Sequence, residues 1–78
     1  MQHELKILPQ YFEEVWDRKK SFELRKNDRD YKVGDSIRLL EFDDGAYTGR
    51  ECNREISYIL NSAEKYGLKN GFVILSLT

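Results

Sequence analysis

Residues 36–60, SIRLLEFDDGAYTGRECNREISYIL, hold two extended stretches joined by one turn, and they decide the fold class. Ser36 to Phe42 reads as a strand with Ile37, Leu39 and Leu40 as its core candidates. Asp43-Asp44-Gly45 is a hairpin-type turn, because glycine accepts positive φ at little cost and aspartate tolerates it. The chain resumes an extended pattern at Tyr47 to Arg50. It then runs on as one long strand to Ile56-Ser57-Tyr58-Ile59-Leu60.

The flanks fit around this hairpin. His3 to Leu8 (HELKIL) alternates loosely, as a short first strand does. Pro9 follows where a helix can begin, since its missing N–H has no intrahelical partner at that position. Phe12, Val15 and Trp16 stand at i, i+3 and i+4, one helical face, so these residues and Tyr11 are expected in the core. Glu13 and Glu14 sit toward the start of that helix and Arg18 to Lys20 toward its end, in the sense the helix dipole favours. Ser21 to Lys26 is the next strand. Its alternation is expected to send Phe22 and Leu24 to the core and Ser21, Glu23 and Arg25 to the opposite face.

Asn27 to Asp30 and Val33-Gly34-Asp35 are turns, with Asp28, Asp30 and Asp35 as turn or capping residues. Residues 61–70 are a loop or a single helical turn. Phe72 to Leu77 is a last strand whose unbroken apolar run suggests burial on both faces. The expected architecture is therefore α+β: about five mostly antiparallel strands, curled into a small barrel, with one packed N-terminal helix.

Seventy-eight residues make a single domain, 1–78. A chain of this size buries only about 60 to 65% of its unfolded surface, so the core is thin. Cys52 is the only cysteine and His3 the only histidine, which excludes an intrachain disulfide and a Cys/His zinc centre. No metal or cofactor is expected, and Cys52 reads as a small strand residue. Five Tyr, four Phe and one Trp must supply the packing instead. Glu4 and Lys6 interrupt any leader-like run, and Phe72 to Leu75 is far too short to cross a bilayer. The expectation is a cytoplasmic, monomeric protein.

Net charge is −1, yet residues 18–32, RKKSFELRKNDRDYK, hold seven Lys/Arg against three Asp/Glu. A positive segment on an acidic body concentrates a field in one place and suits a small anionic ligand better than long duplex DNA. Within that segment Lys20, Glu23 and Arg25 form the candidate centre. Arg25 can grip a phosphate or carboxylate in a planar fork, and Lys20 acts as a point charge. Glu23 can orient the guanidinium or accept from a base amino group. Arg29 and Lys32 extend the basic rim, Asn27 can read a base edge, and Tyr31 is the nearest aromatic on which a base can stack. The plainer reading is a surface ion-pair ladder worth at most about 1 kcal/mol.

Lys20-Ser21-Phe22-Glu23-Leu24-Arg25 followed by Val33-Gly34-Asp35 resembles the ASCH domains of the PUA-like superfamily, which carry lysine, a small hydroxyl residue, an acidic residue and arginine on one strand, then Gly-Asp. The likeness extends in order through HELKILPQYF (3–12), FELRKNDRDYKVGD (22–35), YTGRE (47–51) and GFVILSL (71–77). These strings are similar to a short branch of uncharacterised bacterial and phage ASCH-like proteins. The resemblance implies a PUA-like pseudo-barrel with a cleft beside the helix and a role in RNA or nucleotide binding. Some ASCH proteins are enzymes: one group deacetylates acetylated cytidine with a lysine and a threonine on this strand and a later glutamate, and another is ribonucleolytic. Lys20 matches that lysine; Glu23 stands in place of the threonine, and the later glutamate has no counterpart.

Three functions stay open at this point. The first is a binding module for RNA or a modified nucleotide. The second is a small hydrolase, an amidohydrolase or ribonuclease, with Lys20, Ser21 and Glu23 as candidate catalytic groups and His3 as an alternative base. The third is a protein-interaction module of phage origin that contacts no nucleic acid.

Overall fold

The computed structural model describes residues 1–78, with strands β1 (Gln2–Ile7), β2 (Phe22–Lys26), β3 (Ser36–Asp43), β4 (Ala46–Leu60) and β5 (Phe72–Leu77). One α-helix, α1 (Pro9–Trp16), follows β1, and a single 3₁₀ turn occupies Glu64–Tyr66. The strands form one mixed sheet in the order β1-β3-β4-β5-β2, so the fold is α+β. β1 runs parallel to β3, and the other three pairings are antiparallel.

β4 is the spine. Its first two-thirds pair with β3 and its last five residues with β5, with a register shift between Ile56 and Tyr58. A bulge of this kind bends a strand and increases its twist. That bend turns the β5–β2 half toward the β1–β3 half and curls the sheet around its core. The β3–β4 hairpin turns at Asp44 and Gly45, both at positive φ as the turn requires.

The core is one cluster that includes Leu5, Ile7, Phe12, Val15, Ile37, Leu39, Ile56 and Leu75. Inward residues alternate with outward ones on β1 and β3, as a half-buried sheet demands. On α1 only Phe12 and Val15 are buried. Trp16 is 58% exposed and lies over Phe12 with its ring 6.0 Å away, and Tyr11 is also exposed, which corrects their expected core placement. An eight-residue helix on a thin core has room for one inward row, and Phe12 and Val15 fill it. Arg54 of β4 donates to the Val15 carbonyl (3.0 Å) and so caps the C-terminal end of α1.

Two further expectations change. β5 buries Val73, Leu75 and Leu77 while Phe72, Ile74 and Ser76 are half-buried, so only one of its faces is fully covered. On β2 the facing is reversed. Glu23 is 5% exposed, whereas Phe22 and Leu24 are 46% and 54% exposed. The register explains the reversal: Glu23 and Arg25 stand opposite Leu75 and Val73, which point inward, while Phe22 and Leu24 stand opposite Ser76 and Ile74 on the outer face. Leu24, Ile74 and Leu60 then form a cross-strand apolar row outside, which offsets part of their exposure.

β1 and β2 are the two edges of the sheet and share no backbone ladder, so it does not close into a continuous hydrogen-bonded barrel. Two arginines link the edges instead. Arg25 Nη2 donates to the Lys6 carbonyl (2.7 Å) and Arg29 Nη1 to the Glu4 carbonyl (3.1 Å). Glu4 and Lys6 are two residues apart, so both carbonyls point from the same edge of β1. Capping these acceptors with side chains also removes a template for edge-to-edge aggregation.

Candidate functional site

The gap between β1 and β2 gathers a polar constellation, and β2 builds its centre. Glu23, projecting inward, is flanked by two cations. Lys20 Nζ donates to Oε1 (2.5 Å), and Arg25 donates from Nε to Oε2 (3.1 Å). A buried carboxylate needs such partners, since an uncompensated charge in a low-dielectric interior costs several kcal/mol. This pairing is what permits the reversed facing of β2. Lys20 also donates to the Phe22 carbonyl (2.7 Å), which fixes its ammonium over the strand.

A cavity lies on each side of this Lys20–Glu23–Arg25 line. The first, about 330 Å³, is lined by Tyr11, Lys20, Phe22, Glu23 and Leu24 and is mainly apolar. Lys20 Nζ sits 4.8 Å from the Phe22 ring centre and 5.5 Å from that of Tyr11, so two part-exposed aromatic faces border the ammonium. The second, about 390 Å³, has Lys6, Arg25 and Arg29 as its cations and Tyr47 at its rim. One side is suited to a flat apolar group with a few polar edges; the other is suited to an anion.

The structure brings together Lys20, Glu23, Arg25 and Arg29 from the sequence candidates. Asn27 and Lys32 are exposed and line neither cavity, and Lys32 pairs with Asp30 (3.2 Å). Tyr31 is corrected as a stacking surface: it is 7% exposed, packed edge-on against His3 with ring centres 4.8 Å apart, and burial pushes its phenol pKa up. The hydroxyl of Ser21 makes no hydrogen bond to Lys20 or Glu23, while its carbonyl accepts from Leu77. That arrangement does not supply an activated nucleophile. His3 stands on β1, an edge strand of the sheet. Its ring is buried, and Nε2 lies 2.7 Å from Asp35 Oδ2, where an ionised carboxylate takes the Nε2 proton in a hydrogen bond.

Asp35 does what its turn position suggests. It accepts from the Lys32 amide (3.1 Å) and from His3, and so pins the Val33-Gly34-Asp35 turn to β1. The His3 hydrogen bond, above all, holds the Asp35 carboxyl near pKa 2. A second pinned carboxylate, absent from the sequence reading, is Glu41. Arg50 grips it through Nε and Nη2 (2.9 and 2.8 Å), Thr48 Oγ1 adds a bond at 2.6 Å, and its pKa also falls to about 2. Arg50 reaches on to Glu13 and covers the Phe12 ring, fastening α1 to the β3–β4 hairpin.

These two carboxylates set the acid response. Each is depressed in the folded chain from an ordinary value, 3.8 for Asp35 and 4.5 for Glu41. Their contribution is complete above those values and declines as pH falls toward about 2. The melting temperature is therefore expected to drop through that interval. Asp35→Asn and Glu41→Gln together should flatten the drop; an unchanged profile would show that neither pin contributes.

Sequence reasoning missed Lys6, Tyr11, Phe22 and Tyr47 as site residues, because each reaches the gap from a different element. YTGRE (47–51) was the available signal for Tyr47 and Arg50, but nothing in that string places either beside β1. No helix is long and apolar enough to cross a membrane.

Comparison with known proteins supports a family assignment and no activity. An uncharacterized 12.9 kDa protein in the GpA 3′ region of Escherichia phage P2 is 37% identical over 62 residues. That alignment covers 80% of this chain, and the chain spans 57% of the phage protein's length. The family model described as "Domain of unknown function (DUF3850)" matches residues 2–77. Since that match takes in nearly every residue of both the sheet and the gap, the chain belongs to the DUF3850 family.

Proposed function

We propose that this domain is an RNA- or nucleotide-binding module of PUA-like design, with its ligand lying along the gap between β1 and β2. One observation carries the reading: the Lys20–Glu23–Arg25 line separates an aromatic-bordered cavity from a cationic one. A nucleotide has these two characters, a flat base and an anionic phosphate, joined at a distance set by one sugar. Tyr11 and Phe22 offer faces for stacking, worth about 1–3 kcal/mol per base. Lys20 and Glu23 offer a donor and an acceptor to a base edge, and Arg25 with Arg29 offers the phosphate side. The curled sheet, linked across its edges by arginines, serves as the pseudo-barrel that the ASCH likeness implies.

A hydrolytic reading draws on the same lysine and lacks a nucleophile beside it, so binding without turnover is favoured. Lys20→Ala with Arg25→Ala is expected to weaken binding of a short oligoribonucleotide by at least about 100-fold, since two charged contacts of roughly 1.5–3 kcal/mol each are lost. Because these two cations also neutralise buried Glu23, the comparison is made in a Glu23→Gln background, and a thermal melt checks the fold. Arg29→Ala should lower the slope of log affinity against log salt by about 0.7, one phosphate contact on a single strand. Unchanged affinity in a folded double variant would remove the proposal.

A further inference from the structure

We infer that the cavity bordered by Lys6, Arg25 and Arg29 receives a terminal phosphate, a phosphomonoester, rather than the internal phosphodiesters of a strand. This rests on the nucleotide reading above and narrows its ligand. The first ground is unbalanced charge. Lys6 Nζ has no carboxylate partner; it lies 4.3 Å from the Phe42 ring centre and 5.8 Å from that of Tyr47. Arg29 has its nearest carboxylate, Asp28, only at 4.0 Å. Arg25 shares Glu23 with Lys20. The one acidic residue lining the cavity, Glu4, turns its carboxylate to Arg38 at 2.6 Å. Three cations thus face a single space whose only acid is committed elsewhere.

The second ground is preorganisation. Both arginines are anchored on β1 carbonyls, Arg25 on Lys6 and Arg29 on Glu4, which fixes their side chains while leaving further N–H groups unused. Arg25 Nη1 has no protein partner. Fixed forks lose little freedom when they meet an oxyanion. The third ground is stoichiometry of charge and oxygens. A phosphomonoester presents about −1.5 to −2 charge and three strong acceptors, matching three separate cationic donors. An internal diester presents one charge and two free oxygens and would leave one cation unanswered. At about 390 Å³ the cavity suits one phosphate and an adjoining sugar, with the Tyr47 ring at the rim to cover the sugar or its base.

The test uses the full chain and four probes: a short oligoribonucleotide with a 5′-phosphate, its 5′-hydroxyl counterpart, its 3′-phosphate counterpart, and inorganic phosphate. One terminal phosphate is expected to tighten binding at least about tenfold over the hydroxyl-ended strand. Lys6→Ala or Arg29→Ala should remove most of that gain, so that phosphorylated and hydroxyl-ended strands bind each variant within about twofold of one another. Both side chains are exposed, and a thermal melt checks each fold. Equal affinity for phosphorylated and hydroxyl ends, still sensitive to Lys20→Ala with Arg25→Ala, would overturn the terminal-phosphate inference and leave the nucleotide reading intact. Thermal stabilisation by inorganic phosphate, lost in Lys6→Ala, with no oligonucleotide binding, would keep the phosphomonoester site and overturn the nucleotide reading. No response to any probe would overturn both.

Discussion

Phe12→Ala is expected to lose about 3–5 kcal/mol, the usual cost of truncating a buried phenylalanine. At 0.05–0.15 kcal/mol per residue, a domain this size holds only about 4–12 kcal/mol in total. The variant should therefore lose about a quarter or more of its stability, and at the low end of that range it is unfolded at room temperature. Phe12 is 1% exposed and is the largest of the fully buried side chains. It is also the point where α1, the Trp16 ring and the Arg50 guanidinium meet. Its removal opens a cavity and takes away the surface on which the Arg50–Glu41 link rests. Trp16→Ala is the control, because its exposed ring should cost roughly 1 kcal/mol or less. Urea titration of both variants reads the difference. A Phe12→Ala midpoint equal to the parent's would mean that α1 is not part of the cooperative unit.

Glu23→Ala is expected to cost about 2–3 kcal/mol and to disturb the gap as well. Removing the carboxylate leaves two cations, Lys20 and Arg25, without their shared counterion in a partly buried space. Both retain some contact with water, which places the cost below the 3–5 kcal/mol of a fully buried broken pair. Glu23→Gln keeps the shape and one acceptor, so it should fall between parent and alanine. Lys20→Ala added to Glu23→Ala should recover part of the loss, since the double variant no longer holds two unscreened charges together. Additive losses in that cycle would show that Glu23 and Lys20 are not coupled, and the centre would reduce to separate surface groups.

The strands, the hairpin turn and the helix were legible in the sequence because each carries local punctuation. Pro9, the Asp44-Gly45 turn and the Gly34-Asp35 turn fix boundaries through backbone chemistry alone. The facing of β2 was not legible. Five residues give at most three positions to one face, and Phe22 with Leu24 against Glu23 with Arg25 follows the ordinary rule of apolar residues inside. What reverses it is non-local: β5 presents its inner face opposite Glu23, and Lys20 and the Lys6 carbonyl complete the polar set. The parallel pairing of β1 with β3 likewise joins segments more than thirty residues apart, with no turn signal to announce it.

The site was half legible for the same reason. Lys20, Glu23, Arg25 and Arg29 lie close along the chain, and their charge density drew attention to them. Lys6 is one charged residue on an exposed strand face, and Tyr47 one aromatic after a turn. Only the curl of the sheet sets them beside the arginines. Tyr31 went the other way. Adjacent in sequence to the basic run, it turns inward against His3 because the Asp35 pin draws that loop onto β1.

Titration of ¹⁵N-labelled protein with a short 5′-phosphorylated oligoribonucleotide, followed by amide chemical shifts, tests the central assignment most directly. Concentrated, saturable shifts are predicted at residues 20–29, around Lys6 and at Tyr47, with the outer face at Tyr58 and Leu60 unmoved. Shifts confined to Tyr58 and Leu60 and absent from residues 20–29, or none at millimolar ligand, would contradict it.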